Sequence, residues 1–263
     1  MNILKKIKKQ IKEKINSDTL FSLLVIKNNF WKINWVKTIW YNLKTQTFKD
    51  AIKCPIIISY NVKIKNIGTI IFDVKHIHPG MLSIGVIKIT QWETNYKQTL
   101  FNNRGTLSIG GNVKLHPGCT LYINNNATMK AGNHVGFGAD SKIICYKNIS
   151  IGNDVRISWN SQIFDTDFHF LHNIITDKYY QRTKPIYIGN NVFIGNGCTI
   201  GKGTVIPSGC VVSCISKVSG NFSEEGENLL LVGNPAKVKK KGVEMSNGWR
   251  PTIEAEIAKI IES

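Results

Sequence analysis

The chain has 263 residues, 42% of them hydrophobic, and its 34 Lys and Arg against 17 Asp and Glu give a formal net charge of +17. No run of about 18 residues is continuously apolar, which argues against a transmembrane helix. The N-terminus also lacks an apolar core followed by a small-residue cleavage site, so we expect no signal peptide and a cytoplasmic protein.

The cysteine pattern argues against a disulfide framework and against a metal centre. None of the six cysteines forms a CxxC pair, and no His cluster stands near them at zinc spacing. In a reducing compartment they are expected to be small buried hydrophobic residues. The positive charge is weighted toward the two tails and follows no known nucleic-acid-binding motif, so neither a metal nor a nucleic-acid partner is predicted.

Residues 1–55 form a basic amphipathic N-terminal segment. Near its start, six lysines are interleaved with Leu4, Ile7, Ile11 and Ile15, whose spacing predicts one apolar face of a helix. An aromatic stretch that includes Trp31, Trp35 and Trp40 follows. Two interpretations stay open: a helical cap on the main domain, or a peripheral anchor on anionic lipid at the inner face of the membrane.

Residues 56–217 repeat with a period of six. The clearest units are Ile188–Phe193, Ile194–Thr199 and Ile200–Val205, and the same phase occurs in Ile151–Arg156 and at Ile109. The first position is aliphatic and the fifth is small, so both are expected to point inward. Gly and Asn between them tolerate the backbone angles of a corner. This pattern predicts a prism with three walls, whose successive coils stack as parallel strands.

The repeat breaks once, at residues 164–185, where the sequence contains Asp165-Thr166-Asp167-Phe168-His169 and then His172. A long loop that leaves a regular solenoid is usually functional or disordered, and this one is aromatic and contains His, which favours function. Residues 218–263 are predicted to form a broken final coil and a helical tail over Pro251–Ile261.

These features resemble the hexapeptide-repeat acyltransferases, in particular the galactoside, maltose and surface-polysaccharide O-acetyltransferases. The resemblance spans about residues 105–241 and rests on Ile151–Asn160, the loop, Ile186–Gly195 and the Val-Gly-Asn-Pro-Ala-Lys run that ends at Lys237. It implies a left-handed parallel β-helix, hence a mainly β protein. It also implies acetyl-CoA as acyl donor, a sugar or glycan acceptor, a homotrimer with sites between subunits, and a His in the loop as general base.

The resemblance also implies site residues. His169 corresponds to the general base, with Asp167 or Asp165 orienting its ring, and the binding residues fall into two groups. For the acceptor they are Asp140, His172 and Trp159. For acetyl-CoA they are Phe193, Gly195, Asn196, Ser213, Lys217, Lys237 and Lys239.

The chemistry is reasonable without the resemblance, because a thioester is already activated and the enzyme needs only to position a hydroxyl and remove its proton. Two alternatives stay open: N-acetylation of a nucleotide-linked amino sugar on the same fold, and a non-catalytic membrane-associated scaffold. A metal hydratase is disfavoured because the sequence offers no suitable trio of His ligands.

Overall fold

The computed structural model describes residues 17–86 and 98–245 of the chain. The helices predicted within residues 1–16 and 251–261 lie outside these ranges. The described helices are α1 (Ser17–Asn29), α2 (Trp35–Thr45) and α3 (Phe48–Ala51), with 3-10 turns at Phe30–Lys32 and Ser223–Glu225. No helix of these two ranges is both long enough and apolar enough to cross a membrane.

The strands build three walls of a prism. Wall A has the order β1 (Ile56–Ile58), β4 (Leu82–Ile84), β7 (Val113–Leu115), β10 (Val135–Phe137), β13 (Arg156–Ile157), β18 (Phe193–Ile194), β21 (Val211–Val212), β23 (Leu229–Gly233) and β24 (Ala236–Lys241). Wall B has the order β2 (Val62–Asn66), β5 (Thr99–Asn103), β8 (Thr120–Ile123), β11 (Lys142–Cys145), β14 (Gln162–Phe164), β19 (Thr199–Ile200) and β22 (Lys217–Val218). Wall C has the order β3 (Thr69–Phe72), β6 (Thr106–Ile109), β9 (Thr128–Ala131), β12 (Asn148–Ile151), β17 (Ile186–Ile188) and β20 (Val205–Ile206).

The chain visits walls A, B and C in turn, so three consecutive strands make one coil. Every pairing within a wall is parallel except that of β23 with β24, which is antiparallel and ends wall A. The predicted parallel β-helix is therefore confirmed. It continues past residue 217, because β23 pairs in parallel with β21 after the irregular segment between them.

The core is the inside of the prism, and the six-residue period fills it. Ile151, Ile157, Ile188 and Ile194 at first positions are buried, as are the small side chains at fifth positions, which include Cys198. Of the six cysteines, Cys119, Cys145, Cys198 and Cys210 are buried, Cys54 is half-buried and Cys214 is exposed. The expectation of buried cysteines is wrong for Cys214, because it lies at a corner position of its coil rather than an inward one.

Helix α2 closes one end of the prism. The ring of Tyr41 packs edge-on against Phe101, with ring centroids 6.1 Å apart, in the first coils of the core. Helix α1 is held at the corner between walls C and A, where Asp18 contacts His134 at 2.9 Å and the side-chain amide of Asn133 at 3.1 Å. The predicted helical N-terminal segment is thus confirmed for the described helices.

Successive coils turn from wall A to wall B at one edge, which we call the A–B edge. At this edge a residue with positive φ recurs in five consecutive coils: Gly118, Asp140, Asn160, Gly197 and Ile215. Left-handed backbone is easy for Gly and tolerable for Asn and Asp, but it is unfavourable for a β-branched residue. Ile215, with φ of 58°, is therefore the strained member of this column.

Candidate active site

The excursion at residues 164–185 leaves the prism where wall B turns into wall C, and it folds as an antiparallel arm. At its base, the Lys184 N–H donates to the Asp165 carbonyl at 3.0 Å, and the Asp167 N–H donates to the Arg182 carbonyl at 2.9 Å. Farther out, β15 (His172–Asn173) pairs with β16 (Lys178–Tyr179). The segment that sequence reasoning treated as a loop thus contains a short sheet of its own, which we call the arm.

His169 lies where the arm bends. Its backbone N–H donates to the Asp167 carbonyl at 2.7 Å, and Phe168 between them has a φ of 63°. A three-residue turn with positive φ at its centre is rare and strained in proteins. His169 is exposed, and within residues 17–86 and 98–245 its ring makes no hydrogen bond or ion pair. The turn therefore presents a free imidazole to the surface.

The carboxylate of Asp165 is fully buried and bound to backbone. It accepts hydrogen bonds from the N–H groups of Tyr146, Lys147 and Asn148 at 2.6, 2.7 and 2.8 Å. Burial raises the pKa of this carboxyl, while the three donors act in the opposite direction. These contacts join the base of the arm to the coil before it, and within the described residues neither carboxylate oxygen of Asp165 is hydrogen-bonded to the ring of His169.

The carboxylate of Asp167 forms an ion pair with Lys202, which belongs to the next coil. Lys202 also donates to the Gln181 carbonyl on the opposite side of the arm at 2.5 Å. The expectation that Asp165 or Asp167 orients the His169 ring does not match these contacts. Asp167 fixes the backbone of His169 instead, through its carbonyl oxygen. Lys202 is not among the predicted site residues, because the sequence shows only that it lies at a corner of the repeat.

Aromatic side chains hold the bend against the prism. The Phe168 ring packs edge-on against Tyr146 at 5.9 Å and lies 6.0 Å from the ring of Phe164. The Arg182 guanidinium lies over the Phe170 ring, 4.9 Å from its centroid. The residues on both sides of His169 are thus in contact with other groups, which restrains the backbone of the residue between them.

His172, predicted to contact the acceptor, lies farther along the arm. Its ring stacks on Tyr179 with centroids 4.5 Å apart, and its Nε2 is 2.8 Å from an Asp177 oxygen. Both contacts are made within the outer hairpin of the arm. They fit a role in stabilising that hairpin, and they engage the His172 ring, whereas the ring of His169 has no polar partner in the described part of the chain.

The other predicted residues gather at the A–B edge. Trp159 accepts a backbone hydrogen bond from Gly197, and Asn196 accepts one from Ile215, so these coils stack directly on one another. The residues predicted here were Asp140, Trp159, Gly195, Asn196 and Ser213, and they occupy four successive coils. One Asp140 carboxylate oxygen is buried against Gly118 and has no hydrogen-bond partner among the described residues. Position 195 is restricted to glycine by packing, because a Cβ there would lie 2.7 Å from the Cys214 nitrogen.

The remaining candidates for acetyl-CoA flank this edge. Phe193 is half-buried on the outer side of wall A, in a register column that continues through Val211 and Leu230 to Lys240. Lys217 is exposed at the start of β22, just beyond the edge on wall B. Lys237 and Lys239 are exposed on β24, the last strand of wall A. The candidates for donor binding therefore share one end of one edge.

Within one chain, the arm and the A–B edge stand on opposite sides of wall B. The arm contacts Tyr146 and Lys202 at one end of wall B, and a wall-B strand of about three residues puts the A–B edge roughly 10 Å from that end. Cys214 and Ile215, at the same edge, were not singled out from the sequence. Among the described residues, no group of three or more His, Cys, Asp or Glu is placed to hold a metal ion.

Known proteins are similar to this chain in sequence and in fold. No family model matches the chain. An uncharacterized 24.8 kDa protein in the cps region of Klebsiella pneumoniae is 36% identical over 200 residues, which cover 74% of this chain and 83% of that protein.

Among solved structures, the polySia-specific acetyltransferase NeuO is similar with 21% identity and a TM-score of 0.53, over 78% of this chain and 88% of that one. AntD, an N-acyltransferase from Bacillus cereus solved with dTDP and 3-hydroxybutyryl-CoA, has 18% identity and a TM-score of 0.40, over 79% and 89% of the two chains. The chain belongs to the same family as the Klebsiella cps-region protein, and its fold is the left-handed parallel β-helix of the hexapeptide-repeat acetyltransferases.

Proposed function

We propose that this protein is an acetyl-CoA-dependent O-acetyltransferase that modifies a sugar hydroxyl of a cell-surface glycan. The observation that carries the proposal is the strained turn that presents the imidazole of His169 at the bend of the arm, where its ring has no polar partner within residues 17–86 and 98–245. Backbone strain is retained where the surrounding structure enforces it, and such sites are often functional. Here the enforcing contacts are the buried Asp165, the Lys202 ion pair and the packing of Phe168.

In the proposed reaction, a ring nitrogen of His169 removes the proton from the acceptor hydroxyl as its oxygen attacks the thioester carbonyl. The tetrahedral intermediate collapses with cleavage of the C–S bond. The departing thiolate then takes the proton from the imidazolium, so the products are the acetyl ester and free CoA, and the His returns to its initial state. No covalent acyl-enzyme is needed, because the donor is already activated.

We place the acetyl donor along the A–B edge. Asn196, Ser213 and Lys217 lie there in adjacent coils, with Phe193 on wall A beside them. The exposed Lys237, Lys239 and Lys240 are available to neutralise phosphate groups of CoA. Asp140 and Trp159, two coils and one coil before Asn196 on the same edge, are proposed to contact the acceptor.

This arrangement supports a homotrimer, which we include in the proposal. The arm and the A–B edge of one chain are separated by wall B, so the base and the donor meet only if the arm of one subunit approaches the A–B edge of another. We propose three such sites per trimer, at the subunit interfaces.

The choice of a glycan acceptor is supported by the names of two similar proteins. The Klebsiella relative is described as lying in a cps region, and NeuO as specific for polySia. We place the reaction in the cytoplasm. A contact of residues 1–16 with the inner face of the membrane stays a prediction, since those residues lie outside the described ranges.

The second candidate is N-acetylation of a nucleotide-linked amino sugar on the same site. A His base serves both reactions, so the acceptor decides between them.

The test is thiol release from acetyl-CoA, measured with the full chain against neutral and acidic glycans, free sugars and nucleotide-linked amino sugars. Ester formation on a glycan supports the proposal, whereas amide formation on the amino sugar alone favours the second candidate. If none of these acceptors promotes thiol release, the result favours the non-catalytic membrane-associated scaffold.

A further inference from the structure

Helix α2 is oriented with polar side chains toward the prism. The Asn42 amide donates to the Ile56 carbonyl at 2.7 Å and accepts from the Ile56 N–H at 3.1 Å. The Thr38 hydroxyl accepts from the Ile58 N–H at 3.1 Å. Both side chains are fully buried and occupy backbone groups of the first strand of wall A. The inner side of the helix is thus held by these hydrogen bonds together with the buried ring of Tyr41, and it lacks the wide apolar stripe typical of a surface helix.

The outer side of α2 is apolar. Val36, Ile39, Trp40 and Leu43 recur at helical spacing, and their exposed fractions are 82%, 50%, 45% and 52%. We call these four residues the cap face. An apolar stripe of this kind normally covers a core, but here the described residues leave each of the four between 45% and 82% exposed.

The cap face continues onto neighbouring segments. Trp31 is 89% exposed, and Phe48 and Ile52 are also exposed. An open groove of about 550 Å³ beside the helix is lined by Asn34, Trp35, Val36, Lys37, Trp40 and Tyr60. Contiguous apolar patches larger than a few hundred Å² mark sites of interaction with proteins or membranes.

Positive charge predominates in the segment that contains the cap face. Residues 17–65 contain eight Lys and two Asp, with no Arg or Glu. Both carboxylates are engaged: Asp18 contacts His134, and Asp50 contacts Lys53 at 2.8 Å. Two copies of this surface would repel each other, so its charge fits an anionic partner. Trp together with aliphatic residues and Lys is also the composition of helices that lie in a bilayer interface.

We propose that the cap face binds the surface of an anionic phospholipid bilayer, with the apolar side chains in the headgroup–acyl boundary and the surrounding lysines on the lipid phosphates. The surface is at the end of the prism, remote from the arm, and the inference does not depend on the proposed acetyl transfer. It also differs from the predicted contact through residues 1–16, because it names a surface of the folded domain.

The test is vesicle flotation of the full chain with vesicles of phosphatidylcholine alone or mixed with phosphatidylglycerol. The test variant replaces all four cap-face residues: Val36→Gln, Ile39→Gln, Trp40→Gln and Leu43→Gln, which keeps helix-forming residues and every lysine. We expect the wild type to float with the anionic vesicles only. The bound fraction of the variant should be at least about tenfold lower, because its glutamines cannot replace the large apolar side chains that the wild type buries in the bilayer.

A matched control replaces two exposed apolar residues of one outer column of wall C, Ile71→Gln and Tyr187→Gln, and is expected to bind like the wild type. An unchanged melting temperature of the cap-face variant shows that it folds. The proposal is overturned if that variant floats like the wild type, if neutral vesicles bind equally, or if only deletion of residues 1–16 abolishes binding. If the wild type binds no vesicles and the cap-face variant has a lower particle mass than the wild type, the cap face is instead a contact between copies of the chain.

Discussion

The backbone N–H of His169 donates to the carbonyl oxygen of Asp167 across a single intervening residue, at 2.7 Å. This contact makes the orientation of His169 depend on the position of Asp167. The carboxylate of Asp167 is in turn held by Lys202 of the next coil. The reactive group we propose is therefore attached to the rigid prism through a short chain of contacts.

The first prediction concerns Lys202. Lys202→Met keeps the length of the side chain but removes the ion pair with Asp167 and the hydrogen bond to Gln181, so the base of the arm should open more often. We expect kcat to fall roughly tenfold, since small displacements of a catalytic group are costly. Hydrogen exchange should accelerate at the Asp167 and Tyr180 amides and stay unchanged in the prism. Lys184→Met, at an exposed lysine of the same arm, is the control. Equal exchange in wild type and Lys202→Met would show that the ion pair does not hold the arm.

A second prediction concerns the buried carboxylate of Asp165. Asp165→Ala leaves three backbone N–H groups without acceptors, and each such group typically costs 1–3 kcal/mol. We expect the free energy of unfolding to fall by roughly 3 kcal/mol or more, measured by denaturant unfolding. Asp165→Asn keeps one acceptor oxygen and should lose less. If Asp165→Ala unfolds at the same denaturant concentration as the wild type but is inactive, Asp165 acts in the reaction rather than in the fold.

The six-residue period made most of the fold predictable. Aliphatic first positions such as Ile157 and small fifth positions such as Cys198 point inward as expected, because each wall is too short for more than two inward side chains per strand. The orientation of α2 could not be foreseen, since both of its sides contain large apolar residues. Its inward side was selected by the hydrogen bonds of Thr38 and Asn42, which the spacing of apolar residues does not reveal.

The site was predictable as two groups of residues but not in its detailed contacts. The resemblance named Asn196 and Ser213 as contacts of acetyl-CoA, and the repeat brings both to one edge because every coil has the same number of corners. The partners of Asp165 and Asp167 depend on how the arm leaves the prism, and the arm has no period from which its path could be calculated. The strain at Phe168 could not be predicted either, because Phe is not a residue type that suggests positive φ.

A third prediction uses the exposed Cys214, which lies between Ser213 and the strained Ile215. Buried thiols react slowly, so iodoacetamide should modify Cys214 before the other cysteines of the described residues. If acetyl-CoA lies along the A–B edge, saturating acetyl-CoA should slow this modification at least about fivefold, and AMP should do so less. Peptide mass spectrometry measures the rate, with Cys214→Ser as the background control. An unchanged rate under saturating acetyl-CoA would place the donor elsewhere.

A fourth prediction concerns assembly. Because the arm and the A–B edge of one chain are separated by wall B, an active protein should be a trimer, with about three times the 29.6 kDa mass of the chain. Sedimentation equilibrium at micromolar concentration measures this directly. His169→Ala subunits can be mixed with subunits that are inactive because of a substitution at the A–B edge. The mixture should regain part of the activity, because some interfaces then combine an intact arm with an intact A–B edge. An active monomer would contradict the interfacial site.

The proposed reaction depends most directly on His169 as the general base, and kinetics of His169→Ala with a single acceptor test this role. We expect kcat to fall roughly 10²–10⁴-fold, the typical cost of losing a general base. Trimer mass and acetyl-CoA affinity should remain near wild-type values, since the His169 side chain is exposed and makes no described polar contact. His172→Ala is the matched control on the same arm and should cost much less. Near wild-type turnover of His169→Ala, together with an inactive His172→Ala, would contradict the assignment and place the base on the outer hairpin of the arm.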